Sequence, residues 1–326
     1  MSLSQKMHRS SAAVVMMVVA AVFLLISYGF DGGDLPPQGE QGLCLPPPAL
    51  WPIWPWADVL GGVLLNVAVL VLMAMLNKGF NVLRSNTRLQ LGLFALMGTA
   101  VPRLMLNVNS GIILALAVNV CAFLMFSSYD DPSGVRRVFL SFLIMSLGAA
   151  MQYCFVVFIP MLWVVTAQMR IFSLRTFLAS VFGIATPWVI LLGFGIVSPD
   201  DFHLPEVRGI FSTFGEESAE YFLAVTSFTA FLLVIAITLN LSRTIAYNAR
   251  ARAFNGTLTL TAVVTIVAIS VNYNNLLAYL PLLNVCAAYQ ITHWFVNHRF
   301  DRQYIAVLGI CLCYLAFYAL RFLLAA

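Results

Sequence analysis

Long apolar runs separated by short polar connections constrain this sequence more than any other feature. Eleven runs follow one another, at about residues 11–29, 59–76, 89–102, 110–126, 138–151, 153–168, 176–197, 221–240, 257–272, 276–293 and 304–324. A helix needs about 20 apolar residues to cross a bilayer. Only 9% of the residues are charged, against about a quarter in soluble domains. The sequence predicts an all-α integral membrane protein, a single transmembrane domain over residues 1–326 with about 9–11 helices.

Several of these runs are too short for an ordinary crossing. Runs 89–102 and 110–126 flank the sequence PRLMLNVNS, whereas runs 138–151 and 153–168 meet at GAAMQY without a charged loop. We expect each pair to form a tilted hairpin or a re-entrant element buried among neighbouring helices.

The distribution of basic residues predicts the orientation of the chain. Lys and Arg remain on the cytoplasmic side of membrane proteins. That side would hold Lys6, Arg9, Lys78, Arg84, Arg88, Arg136, Arg137, Arg170, Arg175, Arg243, Arg250, Arg252, Arg299 and Arg302. Only Arg103, Arg208 and Arg321 of the 17 basic residues would lie outside. The pattern predicts an N-terminus inside and a C-terminus outside.

An outer connection over residues 30–58 is rich in Pro and Trp. Its residues Trp51, Trp54 and Trp56 alternate with prolines, and indole rings prefer the head-group level of a bilayer. Two interpretations remain open, an aromatic anchor on the outer leaflet and a lid over a lipid-accessible site.

A second outer connection over residues 198–220 is acidic. Asp200, Asp201 and His203 are close enough in sequence to form a small cation or acid–base site. The alternative is that these side chains are solvated caps. His203 is therefore a candidate binding residue.

The predicted spans contain almost no ionisable residue at mid-depth, which weakens the case for a proton- or sodium-coupled transporter. Neutral polar residues do occur there, and interhelical hydrogen bonding is their expected role. They are Asn66, Asn119, Gln152, Thr226, Thr229, Asn284 and Gln290. The sequence holds no phosphate loop, dinucleotide fingerprint, nucleophile motif or zinc spacing, so we predict no cofactor, no metal and no nucleic-acid partner.

The stretches VRRVFLSFLIMSLGAAMQYCFVVFIPMLWVVTAQMRIFSLRTFLASVFGIATPWVILLGFGI (135–196) and NTRLQLGLFALMGTAVPRL (86–104) carry a resemblance. Their layout, a basic pair, paired short helices and a GxxTP helix, is similar to a family of uncharacterised Gram-negative membrane proteins that share a domain of unknown function. The resemblance covers about two-thirds of the chain and implies a multi-pass protein of the inner (cytoplasmic) membrane. It implies no activity.

More distantly, the layout resembles multi-span glycosyltransferases that use polyprenyl-phosphate sugars, and polymerases of lipid-linked glycans. That resemblance implies catalytic roles for Asp31 and Asp34 after the first run, and lipid-phosphate binding by Arg103 and Arg208. The chain departs from these enzymes because it is short and lacks their large outer domain and their second-loop carboxylate motif. The alternative reading of DGGD is a solvated turn.

Three functions therefore remain open. The first is assembly of lipid-linked envelope glycans at the outer face of the inner membrane, with a polyprenyl-phosphate-linked sugar as partner. The second is a transporter or flippase for an amphipathic substrate. The third is a structural subunit of an envelope complex. Whether the protein is an enzyme is not decided by the sequence.

Overall fold

The computed structural model describes residues 3–30, 43–51, 54–85, 87–131, 133–198, 200, 202, 217–244, 246–272, 275–297 and 303–325. These residues form helices and turns, with no strand among them. The helices are α1 (Leu3–Phe30), α2 (Pro55–Phe80), α3 (Leu89–Gly98), α4 (Pro102–Leu106), α5 (Ser110–Ser127), α6 (Val135–Met151), α7 (Phe158–Gln168), α8 (Leu174–Gly193), α9 (Glu217–Thr244), α10 (Ala249–Val271), α11 (Leu276–Asn297) and α12 (Gln303–Ala325).

The apolar runs form helices because a helix satisfies its backbone hydrogen bonds internally, as the hydrocarbon core of a bilayer requires. Six helices of the described chain are long and apolar enough to cross a bilayer. They are Ser11–Gly29 within α1, Glu220–Thr244 within α9, and the whole of α2, α5, α8 and α10. The predicted all-α membrane bundle is confirmed, and the protein is a multi-pass membrane protein.

Contacts between helix termini define one end of the bundle, which we call the Tyr221 end. The hydroxyl groups of Ser27 and Tyr318 share a hydrogen bond of 3.0 Å, which joins α1 to α12. Tyr221 of α9 donates its hydroxyl to the carbonyl of Ala100, at 2.7 Å. The backbone N–H of Leu45 donates to the last turn of α6.

The connections 81–85, 128–131, 169–173 and 246–248 meet at the opposite end, which we call the basic end. The backbone N–H of Asp130 donates to the carbonyl of Met169, at 3.0 Å. Arg84 lies over the ring of Tyr247, and Arg250 lies over the ring of Tyr129. The basic connections thus share one end, as their charges predict, and the side of the membrane that this end faces stays a prediction.

Helices α3 and α11 lie at the centre of the bundle. All ten residues of α3 are buried. Helix α11 packs against α3, α5, α9 and α10. Tyr289 of α11 donates its hydroxyl to the carbonyl of Met73 in α2, at 3.1 Å. Gly111 of α5 allows a close approach, because an added Cβ would lie 2.9 Å from the ring of Pro281 in α11.

The predicted run 89–102 is divided into two helices. Helix α3 ends at Gly98, and Pro102 begins α4 after a short turn. Pro102 lacks an N–H and fixes its own backbone angle, so it suits the first turn of a new helix. Run 153–168 likewise begins with the 3-10 turn Tyr153–Phe155 before α7. Hydropathy does not show these breaks, because the residues at them are largely apolar.

Four of the seven neutral polar residues link different elements, as predicted, whereas the hydroxyl of Thr226 and the Oδ1 of Asn284 are buried without a hydrogen-bond partner among the described residues. Asn66 of α2 donates to the carbonyl of Met105 in α4, and Gln152 donates to Asn275. Thr229 shares a hydrogen bond with Tyr314, at 2.7 Å. Asn119 is different, because its amide donates to a carbonyl of its own helix.

Candidate functional site

Of the five residues that the sequence analysis proposed for catalysis or binding at the outer face, the structure describes one. Asp31, Asp34, His203 and Arg208 lie outside the described residues. Arg103 is described as a half-buried residue of α4, near the Tyr221 end. The roles predicted for these five residues therefore stay predictions.

Polar side chains around α4 hold the backbone at this break. The carboxylate of Asp58 accepts the N–H of Val108, at 2.7 Å. Asn109 caps α5 by accepting the N–H of Ile112, at 2.9 Å. These hydrogen bonds fix the connection between α4 and α5. Arg103 lies on α4, directly before this connection.

A cavity among the described residues lies elsewhere, between α9 and α10. This groove has a volume of about 420 Å³ and extends from the basic end toward the middle of the bundle. Its lining residues are Ile237, Asn240, Leu241, Thr244, Arg252, Asn255, Gly256, Thr259, Leu260, Val263 and Gln290. Helices α9 and α10 supply the walls, and Gln290 of α11 contributes to the floor.

The start of α10 positions the charged residue of the groove. The side chain of Asn248 accepts the N–H of Ala251, at 3.0 Å, and so caps the helix. Arg252 follows in the first turn, where its side chain is exposed at the groove mouth. From Arg252 to Val263 the groove wall rises about 16 Å along the helix axis. That length accommodates a polar head and the first part of an alkyl chain.

The floor of the groove is polar and buried. Asn240 donates its amide to the carbonyl and to the side-chain oxygen of Gln290, at 2.8 and 3.0 Å. Gln290 in turn donates to the hydroxyl of Thr259, at 3.2 Å. Asn240 is only 3% exposed, yet its Oδ1 has no hydrogen-bond partner among the described residues. A buried acceptor left in this state costs about 1–3 kcal/mol.

Polar and aromatic contacts of Asn255, His293 and Tyr247 connect the groove to the basic end. The amide nitrogen of Asn255 lies 3.0 Å from Nε2 of His293. The ring of His293 meets the ring of Tyr247 edge-on, with centroids 5.8 Å apart. The α9–α10 connection is therefore held against α11 at the place where the groove opens.

The groove combines polar side chains, apolar side chains and one positive charge. Among the described residues that line it, none is a carboxylate, thiol or imidazole. Amide and hydroxyl groups form its floor, and Ile237, Leu241, Leu260 and Val263 supply apolar walls. Arg252 adds one positive charge at the mouth. This combination fits a molecule with an apolar tail and a polar or anionic head.

The sequence analysis missed this groove, although a signal was present. On α9 the lining positions 237, 240, 241 and 244 follow helical spacing, and on α10 so do 252, 255, 256, 259, 260 and 263. Each face mixes amide, hydroxyl and branched apolar side chains. Gln290 was assigned only an interhelical hydrogen bond, which the structure confirms.

No family model, curated protein or solved structure matches this chain. The fold and the groove together define a class, a polytopic helical membrane protein with an amphipathic groove that begins at its basic end.

Proposed function

We propose that the protein binds an amphipathic, lipid-like molecule and transfers it between the leaflets of the bilayer, as a transporter or flippase does. The groove between α9 and α10 is the observation that carries this proposal. A site for a wholly apolar molecule would not need the amides of Asn240 and Gln290 in its floor, because burying polar groups is costly. A site for a small ion would not need four aliphatic walls.

The proposal includes a place and a direction. We propose the inner (cytoplasmic) membrane of a Gram-negative bacterium, with the basic end in the cytoplasm. The connections that meet there carry Arg84 and Arg170, Arg250 follows in the first turn of α10, and such charge is retained on the cytoplasmic side. The groove would then take its ligand from the cytoplasmic leaflet.

A role in assembly of lipid-linked envelope glycans is compatible with this proposal. A polyprenyl-phosphate-linked sugar is itself amphipathic, with a phosphate that suits the guanidinium of Arg252 at the groove mouth. Outer-face catalysis by Asp31 and Asp34 is a separate prediction, tested by Asp31→Asn combined with Arg103→Ala. Unchanged glycan in cells that carry both substitutions would end it.

Lipid transfer in vesicles that contain only this protein tests the proposal. A fluorescent anionic phospholipid is placed in both leaflets, and a membrane-impermeant quencher reports the transfer rate. Val263→Trp should slow transfer about fivefold or more, because an indole in the groove displaces the ligand at a cost of about 1–3 kcal/mol. Val263 is exposed on the groove wall.

Val267→Trp is the matched control. Val267 lies one turn further along α10, is similarly exposed, and is not among the lining residues. Transfer should be unchanged in this variant. If both variants transfer lipid at the wild-type rate, the groove is not the route and the proposal fails.

A further inference from the structure

Residues 43–51 and 54–56, which we call the tryptophan segment, present an apolar surface at the Tyr221 end of the bundle. Leu50 is 72% exposed, and Trp54 and Trp56 are 60% and 64% exposed. Large apolar side chains are unfavourable in water, and a group of them on a surface marks a contact with a membrane or with another molecule. The tryptophan segment is therefore a contact surface.

The backbone of the tryptophan segment is fixed to the bundle. The N–H groups of Cys44 and Leu45 both donate to the carbonyl of Ala150 in the last turn of α6, at 3.2 and 3.0 Å. Both side chains also pack against the buried cluster of Ala150, Leu191 and Val197, at the ends of α6 and α8. Among the described residues, none that lines the groove between α9 and α10 belongs to the segment. These contacts favour a fixed anchor over a lid.

The three indoles of the segment differ in their hydrogen bonds. That of Trp51 donates to the carbonyl of Pro46, at 3.1 Å, within the segment itself. The N–H groups of Trp54 and Trp56 have no acceptor among the described residues, so they need one from lipid or water. Indole rings prefer the head-group level of a bilayer, where phosphate and ester oxygens accept such hydrogen bonds next to an apolar region.

The exposed side of α2 continues the surface of the segment along the helix. After Trp56, its exposed large apolar residues are Leu60, Val63, Leu64, Val67, Val71 and Met75. Trp56 and Leu60 are four residues apart, the spacing that places two side chains on one face of a helix. Because α2 is long and apolar enough to cross the bilayer, lipid covers this face. Trp56 lies at the end of the same face, so the lipid contact continues onto the segment.

The length of α2 gives the depth of the segment in the bilayer. Lys78 is exposed in the last turn of α2, and a lysine at a helix end extends its ammonium group into the head groups. Trp56 lies about 33 Å from Lys78 along the helix axis. The hydrocarbon core of a bilayer is about 30 Å thick. With Lys78 at the head groups of one leaflet, Trp56 therefore lies at the head groups of the other.

The tryptophan segment carries no charge. From Cys44 to Ala57 the sequence contains no Asp, Glu, Lys, Arg or His. The first charged residue that follows is Asp58, whose carboxylate accepts the N–H of Val108. Attraction to anionic lipids needs basic side chains, so the segment should contact zwitterionic and anionic lipids equally. Apolar burial and the hydrogen bonds of the indoles remain as the forces that hold it in the bilayer.

We infer that the tryptophan segment is a fixed anchor in the head-group region of the leaflet at the Tyr221 end, where the N–H groups of Trp54 and Trp56 donate to phospholipid oxygens. Because the segment is bonded to α6 and leads directly into α2, the anchor holds the adjoining ends of both helices at one depth. This inference is independent of the proposed function.

Depth-dependent fluorescence quenching tests the inference on the full-length protein in phosphatidylcholine vesicles. One set of vesicles carries a nitroxide on the lipid head group, and another carries it near the end of an acyl chain. The fluorescence of Trp54 and Trp56 is the difference between the wild-type protein and the double variant Trp54→Phe, Trp56→Phe, which changes two exposed side chains. The head-group nitroxide should quench this difference at least about twofold more than the deep nitroxide. Vesicles of phosphatidylglycerol should give the same result.

Trp163 is the control for depth. It lies in the middle of α7, half-buried, and its N–H donates to the hydroxyl of Ser180, at 2.9 Å. The fluorescence that is lost in Trp163→Phe should be quenched more by the deep nitroxide than by the head-group nitroxide.

Hydrogen exchange tests whether the segment is fixed. The backbone N–H groups of Cys44 and Leu45 should exchange at least about tenfold more slowly than unprotected amides, because both are bonded to Ala150. Exchange at the unprotected rate would show that the segment opens like a lid.

Two quenching results would overturn the inference. If neither nitroxide quenches Trp54 and Trp56, water or a protein such as a second copy of this chain covers the segment. If the deep nitroxide quenches them as strongly as the head-group nitroxide, or more strongly, the indoles lie below the head groups. Neither result bears on the groove, since the effect of Val263→Trp on lipid transfer decides the proposed function separately.

Discussion

The guanidinium of Arg84 lies 4.3 Å from the centre of the Tyr247 ring. The contact joins the connection after α2 to the connection between α9 and α10, beside the open end of the groove. Arg84 has a φ of 53°, a backbone conformation that costs energy for a residue with a side chain. Tertiary contacts hold it there, and the stacking on Tyr247 is one of them.

Tyr247→Leu should therefore lower stability by about 0.5–1 kcal/mol, because it removes a cation–π contact. Thermal unfolding of the purified protein in detergent measures the loss. Tyr247→Phe retains an aromatic face and should unfold close to the wild-type temperature. Equal losses in both variants would show that the hydroxyl, and not the ring face, carries the contact.

The approach of α2 to α4 predicts a second effect. A Cβ on Gly62 would lie against the backbone carbonyl of Leu106, and backbone cannot move aside cheaply. Gly62→Ala should destabilise the protein by about 1–3 kcal/mol. Gly79→Ala, in the same helix, meets nothing within 4 Å and should not destabilise it. Wild-type stability of Gly62→Ala would contradict the close contact.

The hydroxyl of Tyr153 predicts a third effect. It accepts hydrogen bonds from the side-chain amides of Asn272 and Asn275. These hydrogen bonds join the turn before α7 to the connection between α10 and α11. Tyr153→Phe leaves both amides without this acceptor and should cost about 1–2 kcal/mol. Tyr28→Phe changes an exposed tyrosine of α1 and should have no effect. Unfolding in a denaturing detergent compares the two variants.

The connection between α5 and α6 predicts a pH effect. The hydroxyl and the N–H of Ser133 donate to Asp131, at 2.6 and 2.9 Å, and Arg137 lies 3.1 Å away. These contacts, the hydroxyl of Ser133 first, lower the pKa of Asp131 below its ordinary value. The pKa of Asp131 is lower in the folded protein than in the unfolded chain. Its contacts with Ser133 and Arg137 therefore stabilise the folded protein above the unfolded pKa of about 3.9, and this stabilisation is lost as the pH falls through the folded pKa.

Ser133→Ala should raise the pKa of Asp131 toward its ordinary value, because it removes the largest single cause of the depression, and Arg137→Gln should raise it as well. A carbon-13 NMR titration of the side-chain carboxyl measures both shifts. An unchanged pKa in Ser133→Ala would show that the serine hydroxyl does not hold the carboxylate in its charged form.

Much of the fold could be predicted because it depends on properties that are local in sequence. Apolar runs predicted the helices, and the arginines near positions 84, 170 and 250 predicted which connections share an end. The division of run 89–102 was not predicted, because Thr99, Ala100 and Val101 are not polar enough to mark a break. Pro102 was the available signal.

The groove depends on partners that are far apart in sequence. Asn240 and Gln290 are 50 positions apart, and only the packing of α9 and α11 shows that one amide of the pair retains a free acceptor. A sequence shows that both residues are polar and lie at membrane depth. It does not show that α9 and α10 leave a groove between them beside this pair.

The central position of α11 bears on how the chain is made. Helices leave the ribosome in order, so α11, which fills the middle of the molecule, is synthesised after α3 and α5, on which it packs. Until it arrives, α3 and α5 have no neighbour on that side. A nascent chain stalled after α10 should therefore be held by insertion chaperones or degraded by membrane proteases.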